Sequence, residues 1–162
     1  MDKIKSLLLP LAFIFATIAA FETGIRYGAT NMRAHAIAGE LVFPLGTLVQ
    51  GKGQLDANSM NSIAAVIDNG IAAGAMHRQL WYLDKDAKAA LDKVLAYAFS
   101  VRGGGVIERI AAAENEEGLD VSKRERLAKV REAITAAKAD LFDNAPKPAE
   151  NEVTLSEAVV VE

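Results

Sequence analysis

The stretch nearest to a known chemistry is Gly46-Thr47-Leu48-Val49-Gln50-Gly51-Lys52-Gly53. It follows the spacing of a phosphate-cradling loop until its last residue. There a Ser or Thr hydroxyl should hold magnesium, and Gly53 has none. The run Ile63 to Ile67 ending at Asp68 imitates the second magnesium-binding element. It follows after only about ten residues, too few for a crossover to return a parallel strand. Nucleotide binding is therefore not expected. His35 and His77 are the only histidines, and neither has a carboxylate three or four residues away, so no helical metal-ligand pair is present. No serine stands in a nucleophile-elbow context. The absence of cysteine removes disulfides, thiol catalysis and thiolate-bound metals. No catalytic residue, cofactor site or metal site is expected.

The remaining charged clusters read as solvated helix faces. Asp84, Asp86 and Asp92 alternate with Lys85, Lys88 and Lys93, and Asp84 with Lys88 has the four-residue spacing of a helical ion pair. Glu114, Glu116 and Glu117 lack the alternating ligand pattern of a calcium loop. The features that suggest contact rather than catalysis are Trp81-Tyr82, Gly24-x-x-x-Gly28 and the tail valines Val159, Val160 and Val161. Trp81 and Tyr82 read as a turn or core anchor first and a contact surface second. The glycine pair would let two helices approach closely in a bilayer. The valines could add a strand to a sheet edge on another protein.

The elements that position these residues begin with Ser6 to Phe21, sixteen residues without a charge, behind Lys3 and Lys5 and closed by Glu22. Extended from Ile4 to Ile25, this stretch is about 33 Å of helix, enough for a hydrocarbon layer of about 30 Å. It reads as an uncleaved single-pass signal-anchor. The rival is a cleaved secretory signal, although neither Thr17-Ile18-Ala19 nor Ile18-Ala19-Ala20 makes a good cleavage site. A buried soluble helix is the third reading. The lysines before the run place the remainder on the non-cytoplasmic side, against the counter-signal of Arg26 and Arg33. Cleavage would make the chain a secreted protein.

Thr23 to Gly39 is expected to continue the helix as a stalk, with Ile25, Ala29, Met32, Ala36 and Gly39 as its apolar stripe. Pro44 and Gly46 break Glu40 to Val49 into an apolar loop, and Gln50 to Asp56 is a linker. A helical domain over residues 57–143 follows. Asn58 or Ser59 caps its first helix, which carries Ile63, Ile67 and Ile71 while Asp68 and Asn69 point away. Asp84 caps the second, with Leu91, Val94, Leu95, Ala98 and Val101, stopped at Gly103 to Gly105. A short helix presents Ile107, Ile110 and Ala111. Ser122 and Glu125 have capping-box spacing before Leu127, Val130, Ile134, Ala137 and Leu141. Residues 144–162 read as a disordered acidic tail, one base against four acids, which accounts for the net charge of −3.

The fold expected is therefore all-α: a transmembrane or signal helix, a three- to four-helix bundle and a tail. No segment is basic enough for nucleic acid. The expected role is non-catalytic, a membrane-anchored protein that contacts the bilayer and a protein partner as an accessory subunit. The alternatives are an exported soluble binding or inhibitor domain, and an enzyme whose site is assembled from scattered residues.

Overall fold

The computed structural model describes residues 2–143, with side chains from Ala12 to Phe142. Every element in it is helical: α1 (Asp2–Gln50), α2 (Ala57–Arg78), α3 (Lys85–Arg102), α4 (Gly105–Glu114) and α5 (Val121–Lys138), with α5 running into a π-helical turn, Ala139–Asp143. The lower half of α1 packs on α2 and α3, α2 also meets α3 and α5, and α4 lies against α5.

The core follows from side-chain spacing on each helix. Ile67, Ile71 and Ala75 of α2 meet Leu91, Leu95, Ala98 and Phe99 of α3, with Val106 of α4 and Ala133, Ile134 and Ala137 of α5. The expected ridges of α2, α3 and α5 thus supply the core, with Ile63, Val94, Val101, Val130 and Leu141 only partly buried against it and Leu127 outside it. Val66, 56% exposed, is not part of the core. Gly70 permits a close approach of α2 to α1: a Cβ there would stand 2.4 Å from Cδ2 of Leu41. Gly74, four residues on, faces Leu91 and Leu95 of α3 instead.

Four sequence expectations are corrected. Glu40 to Val49 is the end of α1 and not a loop, so helix continues through Pro44 and Gly46. An interior proline costs about 3 kcal/mol. Burial of Leu41, Leu45 and Leu48 offsets it, since each fully buried leucine contributes about 1.5–3 kcal/mol. The covered stripe of α1 is Asn31, Ala34, Ala38, Leu41, Leu45 and Leu48, spaced by threes and fours. This part of the helix belongs to the bundle, and the expected stripe with Ile25 and Met32 faces outward instead.

The other two corrections concern aspartates. The caps of α2 and α5 are Asp56 and Asp120, two or three residues ahead of the expected Asn58/Ser59 and two ahead of Ser122. Asp56 Oδ1 accepts from the N–H groups of Asn58 (2.9 Å) and Ser59 (3.0 Å), and Asp120 Oδ1 accepts from Ser122 N–H (2.8 Å). A carboxylate is the stronger acceptor for these unpaired donors and also suits the positive end of the helix dipole. Asp68 does not point to solvent. It is 4% exposed and clamped by Arg102 of α3, at 2.7 and 2.9 Å, and Arg109 of α4, at 3.2 Å.

Candidate functional site

Asp84 is a helix cap before it is a charge. Its carboxylate accepts from Ala87 N–H at 2.7 Å, while its own N–H donates to Oδ1 of Asn31 at 3.0 Å. Lys88 pairs with Asp92 and not with Asp84. Asp92 also accepts from Arg78 Nε at 2.6 Å, and Arg78 reaches Asp140 at 2.8 Å. Burial works against the Arg78 charge, but the hydrogen bonds to Asp92 and Asp140 outweigh it and raise its pKa. The Arg102 pKa is raised by its hydrogen bonds to Asp68. Both arginine clusters tie helices together. Glu114 is likewise occupied by Arg131, at 2.8 Å, while Glu116 and Glu117 are exposed.

The two histidines are apart in role. His35 is exposed on α1, whereas Nε2 of His77 donates to the Thr30 carbonyl at 2.8 Å and ties the end of α2 to α1. No group of three or more His, Asp or Glu able to hold a metal occurs among the described residues. The Gly46–Gly53 stretch forms the C-terminal end of α1 and the turn after it, with Gly51 N–H bonded to the Thr47 carbonyl at 2.8 Å. A helix C-terminus presents carbonyls and the negative end of its dipole, the wrong polarity for phosphate.

What the fold does bring together is an aromatic cluster. Trp81 and Tyr82, in the turn between α2 and α3, stack edge to face with centroids 5.2 Å apart. They share a shallow cleft with Thr23, Arg26 and Tyr27 of α1. Trp81 is 91% exposed, so it is a surface residue and not the core or turn anchor first expected. Tyr82 is half-buried. Tyr27 and Thr23 were not singled out in the sequence, and Arg26 only as a charge beyond the apolar run that weighs on its orientation. The signal was helix length: α2 turns back along α1 after Gln50 and ends level with Thr30, which delivers the next turn to Tyr27.

The second feature is apolar surface. Ile25, Ala29, Met32, Ala36, Gly39 and Phe43 form one outer face of α1 without an Asp, Glu, Lys or Arg, and Met32 and Phe43 are 75% and 81% exposed. The charged residues of this helix after Ala12 lie on one flank, as the pairs Glu22–Arg26 and Arg33–Glu40. At its lower end the face opens into a groove with Pro44 of α1 and Ile63 and Val66 of α2. Gly24 and Gly28 are exposed higher on the helix, where an added Cβ would meet no atom within 4 Å. Ala12 to Phe21 is exposed on every side.

Among the described residues no helix is long and apolar enough to cross a membrane. Val159, Val160 and Val161, with the rest of the tail, lie outside the described residues. Comparison with known proteins gives no match: no family model, curated protein or solved structure is significantly similar to this chain.

Proposed function

We propose that this chain is a membrane-attached helical protein with a non-catalytic role, binding another protein as an accessory subunit. The observation that carries the reading is the uncharged outer face of α1. A helix face turned to water ordinarily carries charged and polar residues, and a contiguous exposed apolar strip marks a place where something docks. Ala29, Ala36 and Gly39 between Ile25, Met32 and Phe43 leave hollows between knobs, the relief that a second helix fills.

Membrane attachment is supported by Ser6 to Phe21. A helix that is apolar all round suits lipid or a protein interior. The described part, Ala12 to Phe21, has Phe13 74%, Phe15 64% and Phe21 70% exposed, and the bundle covers none of them. With residues 4–11 added from the sequence, the stretch has the length of a single-pass anchor, the bundle lying on the non-cytoplasmic side.

The test is purification of the tagged full-length chain from native membranes, beside Met32→Glu and Phe43→Glu. Both sites are exposed, so both variants should melt with the wild type while losing its specific co-purifying protein. An unchanged partner set refutes the docking face. A chain recovered from the soluble fraction with its mature end near Ala20 or Phe21 refutes the anchor.

A further inference from the structure

Trp81 is the single tryptophan of the chain. An indole normally buries its large apolar body and gives its N–H a partner. This one stands 91% exposed beside Tyr82, over the cleft with Tyr27 and Arg26. Its height along α1 is fixed by two bonds from the same region. Asp84 N–H donates to Asn31, 7% exposed, and His77 donates to the Thr30 carbonyl. The turn cannot slide along α1 without breaking both.

That height is informative. Tyr27 lies about 9 Å of helix rise beyond Phe21, the last residue of the charge-free run, and about 3 Å beyond Ile25. A bilayer of about 40–45 Å overall with about 30 Å of hydrocarbon leaves roughly 5–8 Å of headgroup region on each side. With Ile4 to Ile25 filling the hydrocarbon, the aromatic cluster, about 3 Å further along, falls in that layer, where tryptophan and tyrosine collect because one part of the ring is apolar and the other seeks polar partners.

We infer that Trp81, with Tyr82, Tyr27 and Arg26, is a docking site for the headgroup region of a lipid bilayer, holding the bundle against the membrane from which α1 emerges. The inference rests on the membrane-attached reading above. The indole body lies toward the upper acyl chains and its N–H toward ester or phosphate oxygens. The Arg26 side chain, 74% exposed and 3.4 Å from Glu22, supplies planar donors suited to lipid phosphate.

Because Trp81 is the only indole, intrinsic fluorescence reports on this site alone. The full-length chain is reconstituted into vesicles of phosphatidylcholine and phosphatidylglycerol, and flotation first reports attachment. In the floated fraction, Trp81 emission should shift to the blue. Lipids brominated near the top of the acyl chain should quench it several-fold more strongly than acrylamide from the water. If the chain floats but Trp81 stays open to acrylamide and unquenched by lipid, the docking site is refuted while attachment stands. Shielding from both quenchers places the indole against protein, which also refutes it. A chain that does not float removes the membrane reading and this inference with it.

Discussion

Replacing Asp68 by alanine should remove more stability than any surface charge in the chain. The carboxylate is 4% exposed and holds Arg102 through two bonds and Arg109 through a third, joining α2, α3 and α4. Hydrogen bonds to charged groups contribute about 1.5–3 kcal/mol each, and stranding a buried ion costs about 3–5 kcal/mol. The ion stranded here, Arg102, is 23% exposed, and Arg109, at 53%, can rehydrate, so the loss belongs at the lower end, about 3 kcal/mol. For a chain of this size that lowers the melting temperature by roughly 6–12 °C. Arg102→Ala leaves the more deeply buried partner behind and should cost at least as much. The double variant should lose less than the two singles together, by about 2 kcal/mol, since neither charge is then stranded. The assay is thermal and urea unfolding of the four proteins followed by circular dichroism. Added salt should change the difference little, because a buried pair is poorly screened. Melting of Asp68→Ala within about 1 °C of wild type, or strict additivity in the double variant, would refute the reasoning.

Ile134→Ala, at a fully buried site on α5, should cost about 3 kcal/mol by the same unfolding measurement. Gly70→Val drives a side chain into Leu41, itself 1% exposed, and should cost about 3 kcal/mol. Gly39→Ala, with no neighbour near its added methyl, should gain about 0.5–1 kcal/mol. Asp56 and Asp120 have carboxyl pKa values held below the usual 3.8, first by hydrogen bonds from the side chains of Ser59 and Ser122. A depressed folded-state pKa contributes stability above the unfolded value and loses it as pH falls through the folded one. Melting temperature should therefore fall more steeply with acid in wild type than in Asp56→Asn/Asp120→Asn, which keeps an acceptor at each cap but no titration there. Parallel curves from about pH 6 to about pH 3 would count against the caps.

The helices were legible because local chemistry marks their ends: Gly103 with a positive φ stops α3, and Asp84 opens it. The ridges of α2, α3 and α5 were legible because each has only one apolar side. α1 was not, because it has two. The outer stripe, with Ile25 and Met32, reads better locally than the inner one, which carries Asn31. Only the return of α2 and α3 decides between them. Pro44 misled for a related reason, since its cost is local while the burial of Leu41 and Leu45 depends on residues far along the chain. Asp68 looked solvated because Arg102 and Arg109 are more than thirty residues away. Of the candidate site, Trp81 and Tyr82 were visible as types. Their meeting with Tyr27 followed from the length of α2.

The unbroken course of α1 has a mechanical consequence. From Asp2 to Gln50 the chain is one helix of about 73 Å, unbroken through Gly24 and Gly28 between the part that stands clear and the part that Leu41, Leu45 and Leu48 lock into the bundle. A domain on a flexible tether swivels over a hemisphere and feels no torque from its attachment. Here a tilt or rotation applied at Ala12 to Phe21 is carried along the continuous helix and turns the bundle with it. The orientation of the bundle is thus set wherever the free end of the rod is held, and a lateral push on that end becomes leverage on the α1–α2 groove.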